Sequence, residues 1–281
     1  KRNKIDSLNK VKSLKDIGKL PYLTKNIIRN NLEELKSKNI SAKRFKCDST
    51  GGSTGEPVKF FTDKEKNFVR YACNWRGDSW AGWDFGKKIL LIWGALLDLN
   101  KSNTLKTKIV NSPLLFNSMM CNAFNLSDED IKEIAQVINQ HMPDVIIAYP
   151  SVMYMISQYI ENNNLRVHAP EGIICAAETL FEFQRDYIQK IFSAKVLNRY
   201  GCRDVGHIAS ECAEQKGLHI SADHVIVEVL NEKGEPCAPG ELGEIVVTDL
   251  DNYAFPFIRY KIGDIAKLSA NTCPCERGLP L

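Results

Sequence analysis

Asp48-Ser49-Thr50-Gly51-Gly52-Ser53-Thr54-Gly55-Glu56-Pro57, followed by Val58-Lys59-Phe60-Phe61, is the stretch on which the reading of this 281-residue chain turns. Its three glycines free the backbone to aim N–H groups inward and to approach a ligand closely. Two serines and two threonines add short donors, so the segment can surround a polyanion such as a triphosphate. It is not a Walker A loop, because Glu56 follows Gly55 where Lys-Ser/Thr would be required. The residues after it read as a strand, whereas a Walker loop opens a helix. By turn chemistry alone the same pattern also fits a flexible Gly/Ser hairpin. What favours a binding loop is the company it keeps along the chain.

The composition, 44% hydrophobic and 25% charged, is that of a soluble globular chain with material for a core and two subdomains. The longest apolar run, 89–97, is too short to span a bilayer. The N-terminus has no secretory h-region, so a cytoplasmic location is expected. Nine cysteines without an export signal point to metal binding or buried thiols, not to a disulfide framework. The net charge of +3 hides a polarity: residues 1–46 hold fourteen Lys/Arg against four Asp/Glu, a net of +10, leaving −7 for the remainder. Such an arm attracts nucleic acid or an anionic surface. Its lysines, however, interleave with Ile5, Leu8, Val11 and Leu14 at helical spacing, which describes a solvated helical face. No aromatic platform accompanies them, so nucleic acid is not the expected partner.

Taken in order, 1–40 reads as two helical pieces broken at Leu20-Pro21. Phe68, Tyr71, Ala72 and Trp75 recur at helical spacing within 64–80. Ile89-Leu90-Leu91-Ile92-Trp93 reads as a buried strand. Ser127, with Asp130 three residues on, starts a helix whose apolar face is Ile131, Ile134 and Ile138. Strands follow at 145–149, 172–176 and 196–200, separated by helices at 151–161 and about 180–192. This alternation means a largely parallel sheet covered on both faces. Past Tyr200 strands at 224–230, 243–250 and 257–268 are joined by turn chemistry alone, so this end should be antiparallel and barrel-like. The domain reading is therefore a basic helical segment at 1–46, an α/β nucleotide-binding core at 47–200 and an antiparallel β subdomain at 201–281.

In an α/β sheet the ligand lies outside the carboxyl ends of the strands. There the sequence places Ala176-Ala177-Glu178 after the third strand and Tyr200-Gly201-Cys202-Arg203-Asp204 after the fourth. Alone each is weak, since a Glu after a strand is usually a helix cap and Tyr-Gly a turn. Their order and spacing relative to the loop at 50–55 and to Arg259-Tyr260-Lys261-Ile262-Gly263-Asp264 are more specific. That constellation resembles the adenylate-forming superfamily, most closely its phenylacetate–coenzyme A ligase-like branch, which includes capsular polysaccharide biosynthesis proteins. The resemblance runs from the loop near residue 48 to Pro280.

The resemblance implies a fold and a site. The fold would be the large N-terminal domain of adenylate-forming enzymes. Thr50, Gly51, Gly52, Ser53, Thr54 and Gly55 would bind phosphate, and Ala176, Ala177 and Glu178 would face adenine. Within Asn198-Arg199-Tyr200-Gly201, Tyr200 would stack on the base, with Asn198 and Gly201 beside it. Asp204 falls at the Mg²⁺ ligand, and Asp264 at the carboxylate that grips both ribose hydroxyls. Lys267 stands where an Arg is commoner. Asp204 and Thr54 are the residues implied in the chemistry itself. A carboxylate would attack the α-phosphate of ATP, pyrophosphate would leave, and a thiol such as coenzyme A would take the acyl group from AMP. That reaction needs oriented donors and Mg²⁺ more than acid–base work.

Two departures qualify the resemblance. Arg203 replaces the usual Thr; it cannot ligate Mg²⁺ but pairs bidentately with phosphate or carboxylate. Asp204 is one methylene shorter than the usual Glu. The family's C-terminal lid, of roughly one hundred residues, and its lysine match nothing in 1–281, so the lid domain is expected to be absent from this chain. That keeps open a second function, a non-catalytic nucleotide-binding component of polysaccharide biosynthesis, and a homodimer is left open too. Finally, Cys212, His219, Cys273 and Cys275 are four soft ligands of the kind zinc takes in a tetrahedron. Their spacing is not that of a finger or ribbon, so unrelated thiols, with His224 as a spare ligand, remain the alternative. Some members of the resembling branch carry a structural zinc there. The remaining cysteines, Cys47, Cys73, Cys121, Cys175, Cys202 and Cys237, read as buried or incidental.

Overall fold

Around Val58-Lys59-Phe60-Phe61-Thr62 burial alternates as the sequence does, with Val58, Phe60 and Thr62 inside and Lys59 outside. The computed structural model describes residues 12–50, 57–94, 108–112, 116–124 and 126–281, in two units taken separately below. One unit comprises residues up to 67 together with 222–270. It begins with a 3₁₀ turn at Leu14–Lys19 and a short helix α1 (Lys25–Asn30), whose N-cap Thr24 accepts from the Ile27 N–H. Strands β1 (Lys46–Ser49) and β2 (Lys59–Thr62) pair antiparallel as a hairpin. Helix α2 (Lys64–Trp80) follows directly, and from residue 68 on it belongs to the other unit.

The other unit comprises 68–221 and 271–281. Its sheet contains β3 (Lys88–Trp93), β4 (Lys108–Ser112), β5 (Phe116–Asn122), β6 (Val145–Ala148), β7 (Gly172–Ala176), β8 (Lys195–Cys202), β9 (Gly206–Glu211) and β10 (Leu218–Ile220). The order is β10-β9-β8-β7-β6-β3-β5-β4, with the five central strands parallel and β4, β9 and β10 antiparallel to their neighbours. Successive residues of the parallel strands face opposite cores, which is why these strands read as unbroken apolar runs. Leu90, Ile92, Ile146, Ala148, Ile173, Cys175 and Val196 pack on one face against α3 (Asp128–His141), α4 (Pro150–Asn162) and α5 (Glu182–Phe192). Ile89, Val145, Ile147, Ile174 and Leu197 pack on the other with Ala81, Trp83 and the half-buried Trp75 and Trp80. The expected capping box starts α3: Ser127 and Asp130 each bond the other's backbone N–H.

Three differences from the sequence reading have physical causes. Helix α2 forms as expected, but Phe68 and Tyr71 are exposed and its buried face is Lys66, Cys73, Gly77 and Asp78. Polar groups sit inside because each has an ionic or hydrogen-bonded partner. Second, β9 and β10 extend the large sheet, so residues 201–221 do not join the later strands. Third, residues 271–281 return to this sheet, where the Ile220 N–H bonds the Pro280 carbonyl at 2.8 Å.

The unit that begins the chain is completed by β11 (Val225–Leu230), β12 (Gly243–Asp249) and β13 (Tyr260–Ala266), an antiparallel sheet in that order. Arg259 precedes β13 with a φ of 49°. Its buried guanidinium takes Glu228 with two bonds of 3.0 Å and donates to the Gly18 and Leu20 carbonyls at 2.6 and 2.8 Å. This fork accompanies the strained backbone: four of its planar donors meet carboxylate and carbonyls at once, and a fifth bond goes to the Tyr22 hydroxyl.

Candidate active site

In the first unit, Thr50 closes the neck of the β1–β2 hairpin. Its N–H bonds the Val58 carbonyl at 3.0 Å, and its Oγ1 accepts from the Val58 N–H at 2.9 Å. Gly51, Gly52, Ser53, Thr54 and Gly55 lie outside the described residues. Asp264 is exposed on β13 after Gly263, whose φ of 101° suits glycine. Lys267 is exposed just past the end of the same strand.

In the second unit the other nucleotide candidates gather at the carboxyl ends of two adjacent parallel strands. Ala176 ends β7 directly opposite Arg199 of β8. Ala177 has a φ of 67°, a left-handed conformation that turns the chain out of the strand. Glu178 is exposed and its Oε2 accepts from the Ser151 N–H at 3.1 Å, so it caps α4. A carboxylate at that helix N-terminus also faces the positive end of its dipole. Asn198 is tied by its N–H to Glu211 Oε2 at 2.9 Å. Glu211 is itself held by the buried Arg185, whose Nη1 and Nη2 lie at 2.8 and 3.2 Å. Arg199 pairs with Asp78 of α2 at 2.9 Å. Tyr200 is half-buried, and Gly201 has no room for a side chain because a Cβ would stand 2.4 Å from the Gly206 carbonyl oxygen. The turn between β8 and β9 carries Arg203, half-buried, and Asp204, which is 5% exposed.

The four soft ligands converge. Cys212, His219, Cys273 and Cys275 place their ligand atoms within 4.8 Å of one another. Cys212 Sγ lies 3.6 Å from Cys273 Sγ, and Cys275 Sγ lies 3.3 Å from His219 Nε2. The donor set fits a tetrahedral zinc, and one further observation supports the fit. His219 Nδ1 is 3.2 Å from the Leu279 carbonyl, an arrangement in which Nδ1–H donates and Nε2 keeps its lone pair for a metal. Burial pushes the Cys212 thiol up to about 11, while bonds from Arg277 overcome burial at Cys275 and bring it to about 6. His224, the spare ligand of the sequence reading, lies in the other unit, with Nδ1 2.6 Å from Asp251 Oδ2. Of the remaining thiols Cys73, Cys121, Cys175 and Cys237 are buried, Cys202 is half-buried and Cys47 is exposed.

Sequence reasoning missed the buried polar residues around β9, namely Asp78, His207, Ser210 and Ser221, and the half-buried Arg76 beside them. No spacing motif marks them. The one available signal is that His207 and Ser210 flank the apolar pair Ile208-Ala209.

No family model matches the sequence. Protein CapK of Staphylococcus aureus is 29% identical over 256 residues, covering 90% of this chain and 54% of that protein. The phenylacetate-coenzyme A ligase of Pseudomonas putida is 27% identical over 267 residues, covering 92% and 58%. Among solved structures, an open conformation of 2-hydroxyisobutyryl-CoA ligase in complex with 2-HIB-AMP and CoA matches with a TM-score of 0.78 at 16% identity. That match covers 97% of this chain and 65% of the other. The large sheet and its helices thus have the fold of an acyl-CoA ligase. Over nine-tenths of its length the chain is similar to CapK and to a phenylacetate-coenzyme A ligase, the branch that its motifs resemble. It spans little more than half the length of the two curated relatives named, 54% and 58%.

Proposed function

We propose that this chain carries the nucleotide-binding part of an AMP-forming acid–thiol ligase. A carboxylate oxygen of a small organic acid attacks the α-phosphorus of ATP, the bond to the pyrophosphate oxygen breaks, and an acyl-adenylate forms. A thiol, coenzyme A in our reading, then attacks the acyl carbon, and AMP leaves. The observation that carries this reading is the gathering of Ala176-Ala177-Glu178, Asn198, Tyr200, Arg203 and Asp204 at the ends of two adjacent parallel strands. This is where an α/β sheet binds its ligand. In this reading the loop at 50–55, with Thr54, cradles phosphate. Tyr200 stacks on adenine, Asp204 holds Mg²⁺, and Asp264 and Lys267 hold the ribose side of the nucleotide. Arg203, next to Asp204 in the chain, supplies a positive fork suited to a phosphoryl oxygen.

Zinc enters the proposal as a structural ion held by Cys212, His219, Cys273 and Cys275. Four protein ligands leave no position open for substrate. Nine free thiols fit a reducing compartment, and we place the protein in the cytoplasm. The second reading, a nucleotide-binding component without turnover, is favoured by Arg203 in place of a hydroxyl.

Asp264→Ala tests the nucleotide site. Loss of a charge-assisted pair of hydrogen bonds to ribose should weaken ATP and AMP binding by about 2–3 kcal/mol, measured by calorimetry. Unchanged affinity for both nucleotides would remove Asp264 from the site.

A further inference from the structure

Strand β9 is irregular at one place. Tyr200 of β8 is paired with Ala209 and Gly201 with His207, so Ile208 is an extra residue opposite the Tyr200–Gly201 peptide. Such a bulge bends its strand and re-aims neighbouring side chains. In a regular strand residues three apart point to opposite faces. Here His207 and Ser210, three apart and flanking the bulge, meet: His207 Nε2 is 2.8 Å from Ser210 Oγ. The other ring nitrogen, Nδ1, is 3.0 Å from Ser221 Oγ, just beyond β10. Ser221 Oγ also accepts from Arg76 Nη2 of α2 at 3.0 Å. The geometry suits the tautomer in which the Ser221 hydroxyl donates to Nδ1 and Nε2–H donates to Ser210; the reverse roles satisfy the same contacts.

His207, Ser210 and Ser221 are 4%, 3% and 1% exposed. The close approach of α2 at this point depends on Gly77, where a Cβ would stand 2.4 Å from Ser210 Oγ. Ile208 is itself buried, at 1%. A buried histidine and two buried serines, joined by the half-buried Arg76, are thus satisfied around one misfit residue. A satisfied buried polar network specifies a single arrangement, whereas an apolar filling would tolerate several.

We propose that His207 is a positioning residue for the nucleotide base. By clipping the bulge at Ile208 it sets where Tyr200 and Gly201 stand on the facing strand. The alternative open to β9 is a regular register, and a one-residue slip carries side chains to the opposite face of a sheet. The inference rests on the reading of Tyr200 as the adenine-stacking residue.

The test uses the full-length protein and two probes, AMP and inorganic tripolyphosphate, the second lacking a base. His207→Ala should weaken AMP about tenfold, the order of one lost base–aromatic stack, and leave tripolyphosphate affinity unchanged. His207→Gln offers one acceptor and one donor to the same two serines and should restore AMP affinity to within about threefold. Tyr200→Ala is measured alongside. If Tyr200→Ala leaves AMP binding intact, the adenine reading fails and the inference falls with it. If Tyr200→Ala weakens AMP while His207→Ala does not, the clip alone is refuted. Equal losses of AMP and tripolyphosphate affinity in His207→Ala, unrescued by Gln, would reduce His207 to a stabilising role and overturn the proposal. Should His207→Ala fail to fold, Ser210→Ala removes only the Nε2 partner and should still cost AMP affinity selectively; an unchanged preference there also overturns it.

Discussion

At the scale of single residues, Lys66 is a buried charge outside the candidate site. Its side chain is 2% exposed, its ammonium lies 3.1 Å from Asp249 Oδ2, and the rings of Phe60 and Phe257 stand 5.9 and 5.3 Å away. Asp249 Oδ1 is already taken by the N–H groups of Asp251 and Asn252 at 2.9 and 3.2 Å. The carboxylate is therefore fixed whether or not the lysine is present. Lys66→Met should cost about 3–5 kcal/mol, because it leaves a buried charge uncompensated. Adding Asp249→Asn should recover part of that loss, and urea unfolding of the three variants reads it. A loss below about 1 kcal/mol would mean that the pair behaves as a surface ion pair. Neither partner announces itself in the sequence: Lys66 lies between Glu65 and Asn67, and only the fold decides that it faces inward.

At the scale of elements, legibility follows hydropathy. The strands β3, β6, β7 and β8 and the helix α3 were readable because their apolar residues mark the two cores directly. β9 was not, because its polar residues are buried and satisfied by partners distant in sequence, and three-residue β10 is too short to leave a pattern. β5 carries Asn117, Ser118 and Asn122 among its seven residues and owes its place to pairing with β3. The candidate site divides in the same way. Loop chemistry and the strand ends were legible as motifs, whereas the supports behind them, Arg185 with Glu211 and Arg199 with Asp78, join residues 26 and 121 apart.

Two predictions belong to elements. His141, the last residue of α3, is held below 6.5 by burial and by the Lys88 ammonium, and among the described residues its Nε2 finds no hydrogen-bond partner. The folded chain thus takes this proton less readily than the unfolded one. The stabilisation is complete above pH 6.5 and is lost as pH falls from there through the folded value. His141→Gln should flatten the fall in urea midpoint between pH 7 and 5 relative to the parent at equal zinc content; an identical slope would exclude His141 as a contributor. The second concerns the segment 271–281. Its Cys273 and Cys275 meet Cys212 after β9 and His219 on β10. A zinc there would tie the chain's last residues to the sheet edge. One zinc per chain should be found without added metal, and Cys273→Ser with Cys275→Ser should lose it and lower the melting temperature. A metal-free protein with an unchanged melting temperature after exhaustive chelation would refute the structural ion.

At the scale of the whole molecule, the question is whether nucleotide binding is coupled to chemistry. Fold similarity cannot answer it, since one fold hosts many functions and the site decides. Adenylation needs two anions, a carboxylate and the α-phosphate, held in line while water is excluded. A binding component needs only the nucleotide. The two readings therefore differ in one observable, the dependence of ATP–pyrophosphate exchange on an added carboxylic acid. Screened with the full-length protein over aryl, apolar and hydroxy acids, a ligase should exchange label only when its own acid is present. Asp204→Ala should lower that rate by roughly 10²–10³-fold, the loss expected for one positioned group acting on transition-state charge. Arg203→Thr supplies the sharper contrast. If Arg203 blocks turnover, the hydroxyl should raise exchange; if it steadies a phosphoryl oxygen, the same change should lower it. Tight AMP binding with no acid-dependent exchange, in the parent and in Arg203→Thr alike, would overturn the ligase reading and leave the nucleotide-binding component standing.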